Sequence, residues 1–154
     1  MNTINDNSSV AADVKPVGPT ALHIEAKFPV VPALVYELLT NGTKFGEVTG
    51  QPGKGGETEG VPFSLFDGWL TGRQVELIPN EMIAQAWRFQ NWESGIYSMI
   101  RFKLLPEGNG TRLILDQDGI PAVFHEHVKT NWDGFYFAPF RKHFQQLLRD
   151  SQPK

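Results

Sequence analysis

Between positions 63 and 117 the chain carries five runs of strand length, at 63–66, 69–78, 82–89, 97–105 and 111–117, each only a few residues from the next. Gaps that short allow only antiparallel neighbours, because a parallel pair needs a crossover of a dozen or more residues. The breaks carry turn chemistry: Asp67-Gly68, Pro79-Asn80, Glu93-Ser94-Gly95, and Pro106 through Gly110. Alternation along the runs predicts the inward faces. Ile83, Gln85, Trp87 and Phe89 share one; Ile100, Phe102 and Leu104 share the next, which Leu113 and Leu115 continue.

Upstream, residues 20–28 alternate as a strand, with Leu22, Ile24 and Ala26 on one face and His23, Glu25 and Lys27 on the other. Pro29 and Pro32 open a short helix over 33–39, since proline is tolerated in a first turn, and Leu34, Val35, Leu38 and Leu39 form its buried stripe. Residues 1–19 are polar, lack periodicity and end in Pro16, Gly18 and Pro19, so they are expected to be a disordered leader to a single domain at 20–150. Residues 50–60 hold five glycines and are expected to form a flexible loop, a mobile rim over any cavity. A phosphate-cradling loop fails there on spacing, because Lys54 is not followed by Ser or Thr.

After Gly119-Ile120-Pro121 the period becomes helical. Val128, Trp132, Phe135/Tyr136, Pro139/Phe140, Phe144 and Leu147 recur at three or four residues and predict one long apolar-striped helix over 128–149. A helix of about 25 residues is roughly 37 Å long, enough to cross the sheet, and Pro139 inside it should produce a kink. The expected class is therefore α+β: a curved antiparallel sheet wrapped around a C-terminal helix.

Composition narrows the function. A chain of 154 residues, 40% hydrophobic and 12% aromatic, suits one domain with a substantial core. The net charge of −3, with no basic run longer than Arg141-Lys142, argues against nucleic acid as partner. The absence of cysteine excludes thiol catalysis, disulfides and Cys-ligated zinc. No apolar run approaches 18 residues and no signal-peptide pattern is present, so the sequence predicts a cytoplasmic protein without membrane contact.

No catalytic constellation stands out. His125-Glu126-His127 places its imidazoles about 200° apart on a helix, a poor geometry for sharing one metal ion. Ser98, His143 and Asp116 supply residue types for a nucleophile set, but no Gly-x-Ser-x-Gly elbow exposes a serine. The carboxylate pairs Asp116/Asp118 and Glu57/Glu59 fit a solvated surface. No cofactor, metal or catalytic residue is expected.

The inward-facing polar residues carry more information. Gln85, Ser98 and Gln117 point where Trp87 and Phe102 point, and burying such groups unpaired costs about 1–3 kcal/mol each. They are expected to bond one another or the long helix, or else to orient a ligand in an apolar cavity. In the second case Trp87, Phe89, Phe102, Trp132, Tyr136 and Phe140 form its walls. Asp67 and Arg88 are expected to pair across strand ends and pin the Asp67-Gly68 turn. With Trp69, Trp92 and Tyr97 they are the candidates for a partner-facing patch, since arginine and aromatics dominate binding hot spots.

The order of motifs carries a resemblance. Phe63-Ser64-Leu65-Phe66-Asp67-Gly68, Thr71-Gly72, Glu76-Leu77-Ile78-Pro79, Gln85-Ala86-Trp87-Arg88, Trp92, Gly95-Ile96-Tyr97-Ser98, Gly110-Thr111, Gly119-Ile120-Pro121, Trp132 and Phe135-Tyr136-Phe137-Ala138-Pro139 run through residues 22–148. In that order they resemble the SRPBCC (START-like) superfamily, and specifically the C-terminal domain of activators of the 90-kDa heat-shock protein ATPase. The resemblance implies a helix-grip fold with two small helices after the first strand. It also implies a non-catalytic role, either contact with a chaperone or other protein, or an apolar small molecule held between sheet and helix, with a cyclase-like or hydrolytic enzyme of the superfamily as the third alternative. These 154 residues contain no counterpart of the co-chaperone's separate N-terminal domain, and Asn131 precedes Trp132 where relatives often carry glycine.

Overall fold

The structure is a computed structural model that describes residues 18–152. The leader expected at 1–19 lies, for residues 1–17, outside the described residues. The elements in chain order are β1 (Thr20–Phe28), α1 (Pro32–Thr40), α2 (Gly42–Thr49), β2 (Pro62–Leu65), β3 (Leu70–Ile78), β4 (Met82–Phe89), β5 (Ser98–Glu107) and β6 (Gly110–Ile120). A 3₁₀ turn (Ala122–Phe124), α3 (His125–Asn131), a π turn (Trp132–Phe137) and α4 (Ala138–Asp150) complete the domain.

The six strands form one antiparallel sheet in the order β1-β6-β5-β4-β3-β2. The meander is as the turns predict. The first strand closes it by pairing with the last, placing β1 and β2 at opposite edges. The alternating pattern of β4, buried at Ile83, Gln85, Trp87 and Phe89, is matched by Ile100, Phe102 and Leu104 on β5 and by Leu113, Leu115 and Gln117 on β6. One face of the sheet therefore packs on the helices, and the other carries the charged side chains.

The C-terminal helix departs from expectation. It is two α-helices joined by a π turn, and the reason is local. Proline has no N–H to donate, and its ring crowds the carbonyl four residues back. The wider π turn just ahead of Pro139 relieves both problems. A π turn also shifts the phase of the stripe: Trp132 stacks on Phe137, five residues on, with ring centroids 5.9 Å apart. Phe137 is buried, whereas Phe135 and Leu147, assigned to the stripe from an unbroken helical period, are exposed.

Residues 50–60 also differ from the expected free rim. Lys54 exchanges two backbone hydrogen bonds with Ser64 on edge strand β2, and the Gly42 N–H donates to the Gly55 carbonyl. The glycines allow close packing: a Cβ on Gly42 would stand 2.6 Å from the Lys54 carbonyl carbon. The segment is thus fastened between α2 and β2.

Candidate functional site

All nine residues proposed as cavity walls are buried: Gln85, Trp87, Phe89, Ser98, Phe102, Gln117, Trp132, Tyr136 and Phe140. The polar ones pair with one another. Gln85 donates from Nε2 to Gln74 Oε1 at 3.0 Å, and Gln74 donates to the Gly56 carbonyl at 3.0 Å. Gln117 donates to Ser98 Oγ at 2.9 Å, Ser98 donates to the Trp87 carbonyl at 3.2 Å, and Trp132 Nε1 donates to Gln117 Oε1 at 2.8 Å. Gln74 is buried in alternation with Leu70 and Gly72, and a bulge between Gln74 and Glu76 shifts its register counted from the β3–β4 turn, which hides its pairing with Gln85 in the sequence.

Between sheet and helix, the void bordered by Gln74, Gln85, Phe45 and Tyr136 measures only about 10 Å³. Among the described residues, three buried donors have no hydrogen-bond partner in the protein: Trp87 Nε1, Trp92 Nε1 and the Tyr136 hydroxyl. Burial pushes the Tyr136 phenol pKa far above its ordinary value.

The five surface candidates are not one patch. Trp92 is buried, its ring 5.7 Å from that of Trp87 and stacked on Phe124. Arg88 does not pair with Asp67. Its guanidinium instead donates to the carbonyls of Trp92, Glu93 and Ile96 and lies 6.0 Å from the Tyr97 ring centre. Loop 92–96 lies beside the C-terminal end of β4 and offers three carbonyls to one planar fork, so it takes the arginine. Asp67 stands in a left-handed turn (φ 57°) whose N–H bonds to the Pro52 carbonyl. Trp69 (41% exposed) and Tyr97 (51% exposed) border different depressions.

The depression beside Trp69 is a cleft of about 430 Å³ between the β2–β3 turn, the end of β4 and the π turn. Phe66, Trp69, Phe89, Phe135 and Tyr136 give it aromatic walls. Gln51, Asn91, His127 and Asn131 supply polar groups. Phe66 and Asn91 were not singled out in the sequence; the consecutive aromatics 135–137 were the available signal, obscured by the phase shift of the π turn. His125 and His127 do not converge: His125 Nδ1 is 2.7 Å from Thr20 Oγ1, whereas His127 borders the cleft.

A six-stranded antiparallel sheet closed over a C-terminal helix, with two short helices after the first strand, defines an α+β helix-grip domain of the START-like class. Within that class the chain belongs to the family described as Activator of Hsp90 ATPase homolog 1-like protein, which it matches over residues 29–145. It is 28% identical over 137 residues to the mouse protein named activator of 90 kDa heat shock protein ATPase homolog 1, covering 86% of this chain and 40% of that protein. Over 134 residues it is 27% identical to the human homolog 1, covering 84% of this chain and 40% of that one. The chain thus spans about two fifths of the length of these curated relatives. Its fold is similar to the crystal structure of PFC0360w, an HSP90 activator from Plasmodium falciparum, with a TM-score of 0.72, 22% identity, and coverage of 77% of this chain and 91% of that one. It is also similar to the solution structure of the Aha1 dimer from Colwellia psychrerythraea, with a TM-score of 0.69, 19% identity, and coverage of 81% and 96%. Among the described residues no helix is long and apolar enough to cross a membrane.

Proposed function

We propose that this chain is a non-catalytic, chaperone-linked binding domain that acts by contact with a 90-kDa heat-shock protein in the cytoplasm. The observation that carries this role is the filled interior. The amides of Gln85 and Gln117 and the Ser98 hydroxyl are committed to one another, to Gln74 and to the helix, and the void beside Gln74, Gln85 and Tyr136 is about 10 Å³. Side chains consumed in this way hold the fold and leave only the surface for a partner. Membership of the activator family gives the partner its class. A carrier of an apolar molecule between sheet and helix would need roughly 300 Å³ or more there, against about 10 Å³ in the void beside Gln74 and Gln85.

The test is binding and ATPase stimulation with a purified 90-kDa heat-shock protein, at saturating concentrations of this chain and with each nucleotide state of the chaperone. Binding in at least one nucleotide state is expected, with stimulated turnover as the stronger result. Absence of binding in every state sinks the proposal.

A further inference from the structure

We propose that residues 10–17 of this chain dock in the depression where β1 begins, and so cover an apolar part of the domain's own surface. The depression measures about 510 Å³ and lies between loop 93–97, the end of β6 and the 3₁₀ turn. Ile96, Tyr97, Pro121, Val123 and Phe124 make its walls apolar. Tyr97 is exposed and Val123 is 83% exposed, so neighbouring hydrophobic side chains stand in water there. Covering them is favourable.

The chain itself reaches this site. Thr20 pairs with Ile120, next to Pro121, and Pro19 is part of the lining. The residues that precede Pro19 therefore start inside the depression. Val14 is five residues from Pro19, within about 18 Å even when fully extended. A tether that short gives an effective concentration on the order of millimolar, so a contact no tighter than that holds the segment in place. A second copy in dilute solution has no such advantage.

The residues suit the groove. Residues 1–19 are polar as a whole, but Val10, Ala11, Ala12, Val14 and Val17 gather close to Pro19. Pro16 fixes its own φ and biases Lys15 toward extended backbone. In a polyproline-type helix, with three residues per turn, Ala11, Val14 and Val17 share one face. Aromatic-lined grooves seat such segments, and Tyr97 and Phe124 supply the aromatics here. Charge matches as well. Lys15 is the only Lys or Arg within 1–19, and Glu93 is the only charged side chain among the described residues that line the depression. Glu93 has no ion-pair partner among the described residues.

The seat is held in shape without its occupant. Arg88 binds the carbonyls of Trp92, Glu93 and Ile96, and Phe124 stacks on the buried Trp92 ring. Docking therefore costs order in the segment alone.

The chain has no cysteine, so Ser8→Cys in the full 154-residue protein carries a single nitroxide label. Amide spectra are expected to show ordered residues 10–17 and broadened signals at Tyr97, Gly119 and Val123. Val14→Asp combined with Val17→Asp changes only the segment and should abolish both effects. Glu93→Lys should weaken the broadening, and adding Lys15→Glu should restore it. The proposal is overturned if residues 10–17 relax like a free chain end, if the broadening survives both aspartates, or if the reversed charge pair fails to restore it. Broadening between a labelled and an unlabelled copy also overturns it, because the occupant is then a second molecule. No chaperone enters the measurement, so this proposal and the chaperone-linked role can fail separately.

Discussion

Trp132 and Gln117 are joined by a hydrogen bond of 2.8 Å from the indole N–H to the amide oxygen, buried between the π turn and β6. Gln117 passes the connection to Ser98 on β5, and Ser98 to the Trp87 carbonyl on β4. The π turn is thereby fixed to three strands. Gln117→Leu keeps most of the volume and removes the acceptor, stranding a buried N–H at a cost of about 1–3 kcal/mol. Urea unfolding should show that loss. Adding Trp132→Phe should cost less than the two single changes summed, because the stranded donor is then gone. Strict additivity would mean that this bond does not link the turn to the sheet.

Two glycines make opposite predictions. Gly72 pairs with Trp87 across β3 and β4, and a Cβ there would stand 2.7 Å from Trp87 Cβ and 2.9 Å from Phe63 Cζ, with the Ala86 carbonyl oxygen closer still. Backbone cannot give way cheaply in mid-sheet, so Gly72→Ala should destabilise by at least about 2–3 kcal/mol. Gly134 lies in the π turn with open space around it and no left-handed φ. Gly134→Ala should be neutral or stabilising by about 0.4–1 kcal/mol. Thermal melts of the two variants check both. Equal destabilisation would refute the close approach at Gly72.

The sheet was legible in the sequence because its evidence is local. Turn residues set the strand ends, and period-two burial placed Ile83, Gln85, Trp87 and Phe89 on one face, as found. The helix was less legible because one proline has two outcomes. A kink was expected within an unbroken period, but the π turn changed the phase, exposing Phe135 and burying Phe137. The pairing of Gln85 with Gln74 could not be read from alternation across a bulge. Arg88 was paired with Asp67 from the positions of both near strand ends, but carbonyls are invisible in a list of side chains. Three of them, in loop 92–96, hold the guanidinium.

The outer face of β1 predicts a pH dependence. His23 Nδ1 lies 2.6 Å from Asp116 and Nε2 lies 3.1 Å from Glu25, while Arg112 also binds Glu25 and Arg101 stands 3.7 Å from Asp116. Hydrogen bonds to Asp116, then Glu25, raise the His23 pKa above 6.5; hydrogen bonds from Arg112, then His23, lower that of Glu25 below 4.5. The His23 contribution to stability is fully present below its ordinary 6.5 and is lost as pH rises through the raised value. Glu25 contributes above its ordinary 4.5, and that contribution is lost as pH falls through the lowered value. The β1–β6 tie is therefore strongest between about pH 4.5 and 6.5. These groups are exposed, so the effect should be small and salt-sensitive. The melting difference between wild type and His23→Gln should shrink from about pH 5.5 to pH 9 and fade at about 1 M salt. A difference that stays constant with pH would show that the imidazole contributes no charge interaction.

Tyr136 gives the sharpest test of the core. Its ring packs against Trp132 at 4.5 Å and Phe45 at 5.0 Å, and its hydroxyl is buried without a partner in the protein. An unpaired buried hydroxyl is a net cost, whereas the ring supplies the packing. Tyr136→Phe should therefore keep the fold and leave stability unchanged or raise it by up to about 1 kcal/mol. Tyr136→Ala should lose about 3–5 kcal/mol, as for other large aromatic deletions. Because burial opposes the phenolate, the wild-type hydroxyl should not ionise in alkali until the chain unfolds. Paired ultraviolet titrations and melts of the wild type and Tyr136→Phe decide the matter. A clear loss of stability in Tyr136→Phe would mean that the hydroxyl is bonded after all, and that the small void beside Gln74 and Gln85 holds its partner.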